Sequence, residues 1–324
     1  MWIVYRKEKV GKSHIKTSTP CQDKTFYLDK NDIKSLVLCD GAGSAKFSHF
    51  GADIVTKSLA TFLCDNFDNC YDNNDALQIK REIINFIFEK LNSLKDFLGC
   101  ELKELASTLQ FVAIKDDRFI LCHLGDGVVG YVKNGLLKVA STPINGEFAN
   151  ATSFTISKDA ISKMKLFKGK IDFISAFVLM SDGSAEAFYK KQIKKFSKGL
   201  EKLIDYSKFS LAFDDILSNA LANIQKVTTD DVSLAFLVKE NSFNYIKFKK
   251  MAQQNLNNRV LKRRFEILAV LTKPLTITQI YHKVAIKRHF IYKDLDYLHS
   301  LALIKKSDNF YLCNVNLKKE IKWN

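Results

Sequence analysis

The sequence predicts an α+β protein with a small basic domain after it, and three observations carry that prediction. Short apolar runs rich in β-branched and aromatic residues recur along the first three quarters of the 324 residues. They are interrupted by two stretches of helical periodicity, without the regular strand–helix alternation that a doubly wound sheet needs. The charge is also uneven. Residues 245–324 hold 17 Lys/Arg against 5 Asp/Glu, whereas residues 1–244 hold 33 against 30. The boundary is therefore expected between 244 and 245, inside the polar, basic segment SFNYIKFKKMAQQNLNNRV.

The elements follow in order. Residues 47–64 and 75–97 carry apolar residues at helical spacing, the second with Leu77, Ile84, Ile87, Phe88 and Leu91 on one stripe. STLQFVAIK, RFILCHLG and VVGYVKNGLLKVA read as strands. Asn134-Gly135 between two of them suits a type I′ hairpin turn, which needs positive φ at both central residues. FVLMSDG is a further strand ending, 185–224 a lysine-rich helical stretch, and DVSLAFLVK a last strand. In the tail, a basic amphipathic helix over 257–272 precedes TITQIYHKV, where Thr276 and Gln279 form a capping box. A third helix, KRHFIYKDLDYLHSLALI, leads into a hairpin, KKSDNFYLC, turning at Ser307, Asp308 and Asn309. Three short helices and a two-stranded wing are the winged form of the helix-turn-helix layout.

Composition narrows the class. Apolar residues at 47% and charged residues at 26% are those of a folded globular protein. No apolar stretch reaches the roughly 20 residues of a membrane span, and the charges in MWIVYRKEKVGKSH interrupt any secretory h-region. A cytoplasmic protein with no membrane partner is expected. The seven cysteines (Cys21, Cys39, Cys64, Cys70, Cys100, Cys122 and Cys313) include no Cys-x-x-Cys pair and read as reduced, mostly buried small hydrophobes. Cys21 and Cys39 lack the partners of a nucleophilic thiol.

The chemistry lies in five aspartates where apolar runs break off: Asp23, Asp40, Asp126, Asp182 and Asp230. A single Asp-Gly after a strand is an ordinary turn. Several of them in a chain of net charge +15 suggest carboxylates gathered to hold cations. Hard divalent ions such as Mg2+ and Mn2+ prefer such oxygen ligands.

GKSHIKTSTPCQDK, VLCDGAGSAKFSHFGA, STLQFVAIKDDRFILCHLGDG, PINGEFANATSF, VLMSDGSAEAF and TTDDVSLAFL stand in the order found in metal-dependent protein phosphatases of the type 2C family. Over about residues 1–240 the chain resembles the bacterial branch of that family. The resemblance implies a sandwich of two antiparallel β-sheets flanked by helices. It implies hydrolysis of phosphoserine and phosphothreonine on proteins by a metal-activated water, with two Mn2+ or Mg2+ ions and a weaker third. Asp40 would bridge the two ions and Gly41 would offer its carbonyl to the second. Asp182 and Asp230 would ligate the first, Asp23 would stand near the second, and Asp126 would serve the third. Asp231 would lie just behind the ligands.

Two positions depart from the pattern. Ser18 stands where many members have a phosphate-clamping arginine, and Ala42 where a candidate general acid, histidine, often follows Asp-Gly. His14, Ser18 and Lys46 are the candidate substrate contacts, with His49 behind them. Glu147, Asn150 and Thr152 fit a loop near the site, hydrogen-bonding its own backbone. The expected partners are a phosphoprotein substrate and a cognate Ser/Thr kinase system. The tail could dock nucleic acid or protein, through Lys287, Arg288, His289 and Lys293 on the third helix, with Arg263, Arg264, Lys305 and Lys306 meeting phosphates. The alternatives are a weak or inactive scaffold with the phosphatase fold, and a regulator acting mainly through its basic tail.

Overall fold

The computed structural model describes residues 2–144, 152–207, 213–239, 258–271, 274–284, 286–300 and 303–313. The chain divides into two compact units, Met1–Leu203 with Ile216–Lys239, and Ile204–Asp215 with Glu240–Asn324.

Up to Lys239 the elements are β1 (Trp2–Lys9), α1 (Lys12–Thr17), β2 (Lys24–Lys30), β3 (Ile33–Cys39), α2 (Ser48–Asp72) and α3 (Ala76–Leu98). Next come β4 (Leu109–Lys115), β5 (Arg118–Leu124), β6 (Val128–Lys133), β7 (Leu136–Ser141), α4 (Ala160–Lys163), β8 (Lys165–Lys170) and β9 (Ile174–Met180). They are followed by α5 (Asp182–Phe188), the short pair β10 (Tyr189–Lys190) and β11 (Lys195–Phe196), α6 (Lys198–Ser207), α7 (Phe213–Gln225) and β12 (Val232–Lys239). Two five-stranded sheets result, ordered β1-β12-β9-β6-β7 and β2-β3-β4-β5-β8. Every paired strand in them is antiparallel.

The side-chain period of two explains how one sheet serves two cores. Leu36 and Leu38 of β3, Val112 and Ile114 of β4 and Leu121 of β5 pack against Val129, Phe177, Leu179 and Leu237 of the other sheet. Their alternates, Val37, Cys39, Phe111, Ala113, Ile120 and Cys122, face Val55, Leu59 and Leu63 of α2 and Ile83 and Ile87 of α3. Strands buried on both faces read as unbroken apolar runs. Each fully buried Leu, Val or Phe contributes about 1.5–3 kcal/mol.

Local signals place several boundaries. Asp75 caps α3 by accepting from Leu77 N and Gln78 N at 2.9 and 3.0 Å, and Gly99 (φ 62°) ends it. Asn134 and Gly135 take φ of 53° and 74°, the two positive values the β6–β7 hairpin requires. Three expectations are corrected. The helix expected over 47–64 runs on to Asp72, with Asn66 non-helical inside it. Leu77, expected on the apolar stripe of α3, is exposed; Ile79 and Ile83 join Ile84, Ile87 and Leu91 inside. The helical stretch expected over 185–224 is broken by β10 and β11 before α6 and α7. Strands β1 and β8 have no counterpart among the expected elements.

The second unit contains α8 (Asn258–Val270), β13 (Leu275–Thr276), α9 (Ile277–Lys283), α10 (Arg288–Ser300), β14 (Ile304–Ser307) and β15 (Phe310–Cys313). Its sheet is ordered β13-β15-β14. Ile267, Leu268, Leu271, Ile280, Ile291, Leu295, Leu298 and Tyr311 form its core. Thr276 and Gln279 make the expected reciprocal cap. Asp294 of α10 is fully buried, its carboxylate held by Arg263 and Arg264 of α8. Arg263 also covers the Phe290 ring and Arg264 the Tyr297 ring. These two arginines, expected to meet phosphates, are therefore committed to an internal carboxylate. Among the described residues the cysteines are free, and no helix is long and apolar enough to cross a membrane.

Candidate metal centre

Asp40 follows β3 on one sheet and Asp182 follows β9 on the other. Asp126 lies on the link that carries the chain from β5 to β6, from the first sheet to the second. One carboxylate oxygen from each of the three lies within 4.8 Å of the other two. No described lysine, arginine or histidine forms an ion pair with any of them. Like charges about 4 Å apart repel by about 4 kcal/mol per pair at an effective dielectric of about 20. Such a trio needs protons or a cation.

The carboxyls register that strain. Burial, then the charges of Asp23, Asp182 and Asp126, push the Asp40 carboxyl well above the usual carboxylate range. Burial, with Asp126 and Asp230 beside it, raises Asp182 to about 6, although the Gly183 N–H donates to it at 2.6 Å. Partial burial and Asp231 raise Asp230, against the pull of the Asp231 N–H, which donates to it at 2.8 Å. Neither Asp230 nor Asp23 belongs to the close trio. Asp23 is buried, and neither of its oxygens has a hydrogen-bond partner among the described residues. Burial and Asp231 raise its carboxyl, while the Ser233 and Ser181 hydroxyls nearby act the other way. Uncompensated, all-oxygen, anionic donors on rigid strand ends fit a hard divalent cation.

Several residues hold the ligands in place. The Asp40 N–H donates to Thr108 Oγ1 at 2.9 Å, and Thr108 N–H returns a bond to the Asp40 carbonyl at 2.8 Å. Gly41 forms an isolated bridge with Ser107. Gln110 of β4 reaches across the sandwich. Its amide nitrogen donates to the Met180 carbonyl at 2.8 Å, and its oxygen accepts from Met180 N–H at 3.1 Å, two residues before Asp182. Gly127 is required beside this contact, because a Cβ there would fall 2.0 Å from Gln110 Nε2. A Cβ on Gly183 would fall 2.2 Å from the Asp231 carbonyl. These two glycines serve close backbone approach, since neither has positive φ.

Asp231 gathers three donors. Its Oδ1 accepts from Gly11 N–H at 2.6 Å and pairs with His14 Nδ1 at 2.9 Å, and its Oδ2 accepts from Gln22 N–H at 2.6 Å. The short helix α1 and the Asp23 segment are thus tied to the Asp230 turn. His14 Nε2 makes no hydrogen bond among the described residues. Ser18 caps α1 in the left-handed region (φ 54°) and is exposed. Lys46 is exposed, its ammonium 4.8 Å from the Phe47 ring centroid, and His49 is half-buried, its titration lowered by burial and Lys24. Glu147 and Asn150 lie outside the described residues; the Thr152 hydroxyl donates to Asp126.

Sequence reasoning missed Gln110 and Thr108 as positioning residues and gave Thr152 no ligand-side role. One signal was visible: Gln110 is the polar residue in the otherwise apolar LQFVAI run of β4. The Asp-Asp doublet at 230–231 was the signal for the tie through Asp231.

The sequence profile of the protein phosphatase 2C family matches residues 10–224. Serine/threonine-protein phosphatase 3 of Escherichia coli (strain K12) is 26% identical over 190 residues, covering 54% of this chain and 72% of that protein. Among solved structures, the serine/threonine phosphatase of S. agalactiae aligns with a TM-score of 0.51 at 14% identity, over 74% of this chain and all (100%) of that one. The catalytic domain of serine threonine protein phosphatase PstP, solved with two manganese ions, aligns at 0.50 and 13% identity, over 73% and 97%. At those identities the structural likeness speaks for the fold.

Proposed function

The chain belongs to the protein phosphatase 2C family, and from that premise we propose the residues by which it works as a metal-dependent serine/threonine protein phosphatase. The observation that carries the assignment is the trio Asp40, Asp126 and Asp182, gathered within 4.8 Å without a countercharge. Two Mn2+ or Mg2+ ions would be held by Asp40, Asp182 and Asp230, with the Gly41 carbonyl and Asp23 on the second and Asp126 at a third. When bound, the ions supply an activated water for attack on phosphorus and neutralise charge on the phosphoryl oxygens.

The chain's own groups do the rest. Thr108 and Gln110 fix the strand ends that carry Asp40 and Asp182, so the carboxylates meet the ions in one geometry. Asp231 orients His14 through Nδ1 and leaves Nε2 for the substrate phosphate. Lys46 has no ion pair among the described residues and can meet the same anion. Ser18 supplies a hydroxyl where an arginine would clamp, and Ala42 supplies no proton. The protein is expected to bind phosphate less tightly than members that keep both groups. The intact Asp40, Asp182 and Asp230 weigh against a non-catalytic scaffold.

We further propose residues 245–324 as a separate, winged-helix-like basic domain. What supports this is the three helices with a hairpin, and the exposure of Lys287, Arg288, His289, Lys293, Lys305 and Lys306. Docking of nucleic acid or protein there, a cytoplasmic site of action and a partner kinase system belong to the same proposal. The deciding experiment is Mn2+-dependent hydrolysis of a phosphothreonine peptide by wild type, Asp40→Asn and Asp182→Asn. Turnover in wild type alone supports the assignment. Turnover that survives both substitutions removes these aspartates from the site, and none in wild type removes the activity.

A further inference from the structure

Beside Asp40 the surface opens into a groove of about 460 Å3. Its lining includes the small residues Ala42, Ala45 and Ala106, two apolar side chains, Phe154 and Ile156, and the charged residues Lys46, Lys103 and Glu104. The three alanines form one buried cluster with Phe154 and Ile156 packed against it. Backbone hydrogen bonds tie the groove's lining to the chain that carries the metal centre. Ala42 is two residues from Asp40, its N–H donates to the Ala106 carbonyl at 2.9 Å, and Thr108 two residues further on holds Asp40. Opposite, Thr155 N–H donates to the Ser107 carbonyl at 2.9 Å and fixes the Phe154–Ile156 wall.

We infer that this groove is a specificity subsite for the phosphoprotein, taking an apolar side chain that neighbours the phosphorylated residue. The inference rests on the phosphatase reading of the adjacent carboxylates. Ligand sites of this size pair an apolar lining with a few polar groups that fix orientation. Ala42 adds no more than a methyl group to this lining. A phosphorylated small molecule such as p-nitrophenyl phosphate has no such side chain and would bypass the subsite.

The test compares full-length wild type with Phe154→Ser and Ile156→Ser on phosphothreonine peptides that carry Leu or Gly at each position flanking the phosphoresidue. Wild type is expected to prefer one Leu peptide by about tenfold in kcat/KM, the scale for an apolar pocket. The two substitutions should erase that preference while p-nitrophenyl phosphate turnover stays within about twofold. Binding of the matching non-hydrolysable phosphonate peptides to the Mn2+-loaded protein reads the groove independently of chemistry. A Leu preference in binding without turnover of any substrate counts against the phosphatase reading alone. Equal binding of Leu and Gly peptides, or a preference untouched by Phe154→Ser and Ile156→Ser, overturns the subsite.

Discussion

Two carboxylate sites in this molecule solve the same electrostatic problem in opposite ways. In the second unit, Asp294 is buried among apolar residues and receives two guanidiniums from Arg263 and Arg264, each also packed on an aromatic ring. That site is complete in itself. In the first unit, Asp40, Asp126 and Asp182 are brought within 4.8 Å with no cation of the chain's own among the described residues. That site is complete only when something positive arrives. A buried acid by itself therefore says little; whether the fold supplies its countercharge separates a structural ion cluster from a place for a ligand.

The comparison can be broken most severely at Asp294. Asp294→Ala strands two arginines and is expected to destabilise the second unit by about 3–5 kcal/mol, read by hydrogen exchange over 258–313; Mn2+ should not restore it. Next, Asp40→Asn should lower kcat by on the order of 100–1,000-fold, yet leave the metal-free protein at least as stable, because it removes a repelling charge. Loss of stability there would mean that Asp40 has a structural countercharge after all.

Third comes pH. Asp182 is raised to about 6 in the folded chain, against an ordinary value of 3.8. The folded, metal-free form then binds more protons than the unfolded one between those values. Its stability should fall as pH rises through that window, with Asp182 alone contributing about 3 kcal/mol. Calorimetry should show the slope flatten with saturating Mn2+, and become shallower, without vanishing, in metal-free Asp182→Asn, where the raised Asp40, Asp23 and Asp230 carboxyls remain. Asp231→Asn comes fourth: it keeps the size but loses one of the acceptors for Gly11, His14 and Gln22, and should weaken Mn2+ binding by about 10–100-fold, measured by paramagnetic resonance. The smallest effect is a control. Asp75→Ala removes the cap of α3, costs about 1 kcal/mol and should leave Mn2+ affinity alone.

Much of this was legible in the chain because the relevant physics is local. The runs before Asp40 and Asp182 end where strands end, the Asn134-Gly135 turn takes its two positive φ values, and Thr276 and Gln279 cap as their spacing demands. What was illegible depends on distant partners. KLFKGK of β8 mixes lysines with apolar residues and is an edge strand, where lysine discourages further pairing. Gln110 looks like a blemish in an apolar strand until Met180 of the opposite sheet is seen across from it. Arg263 and Arg264 read as surface cations because nothing in their own helix reveals Asp294, some thirty residues on. The three-aspartate cluster shows both sides: its members were named from their neighbours, but their closeness came only with the fold.

The strand order has a consequence for biosynthesis. β12, made last in the first unit, lies between β1 and β9, both made earlier, and pairs with each along most of its length. A growing chain therefore carries a sheet with its second position unfilled until Lys239 has left the ribosome, and Asp230 and Asp231, with the tie they make, emerge only just before it. Non-local pairing of this kind is slow to close. The final strand acts as a completion signal: nascent chains that stop short of it hold most of the aspartates and no finished place to use them.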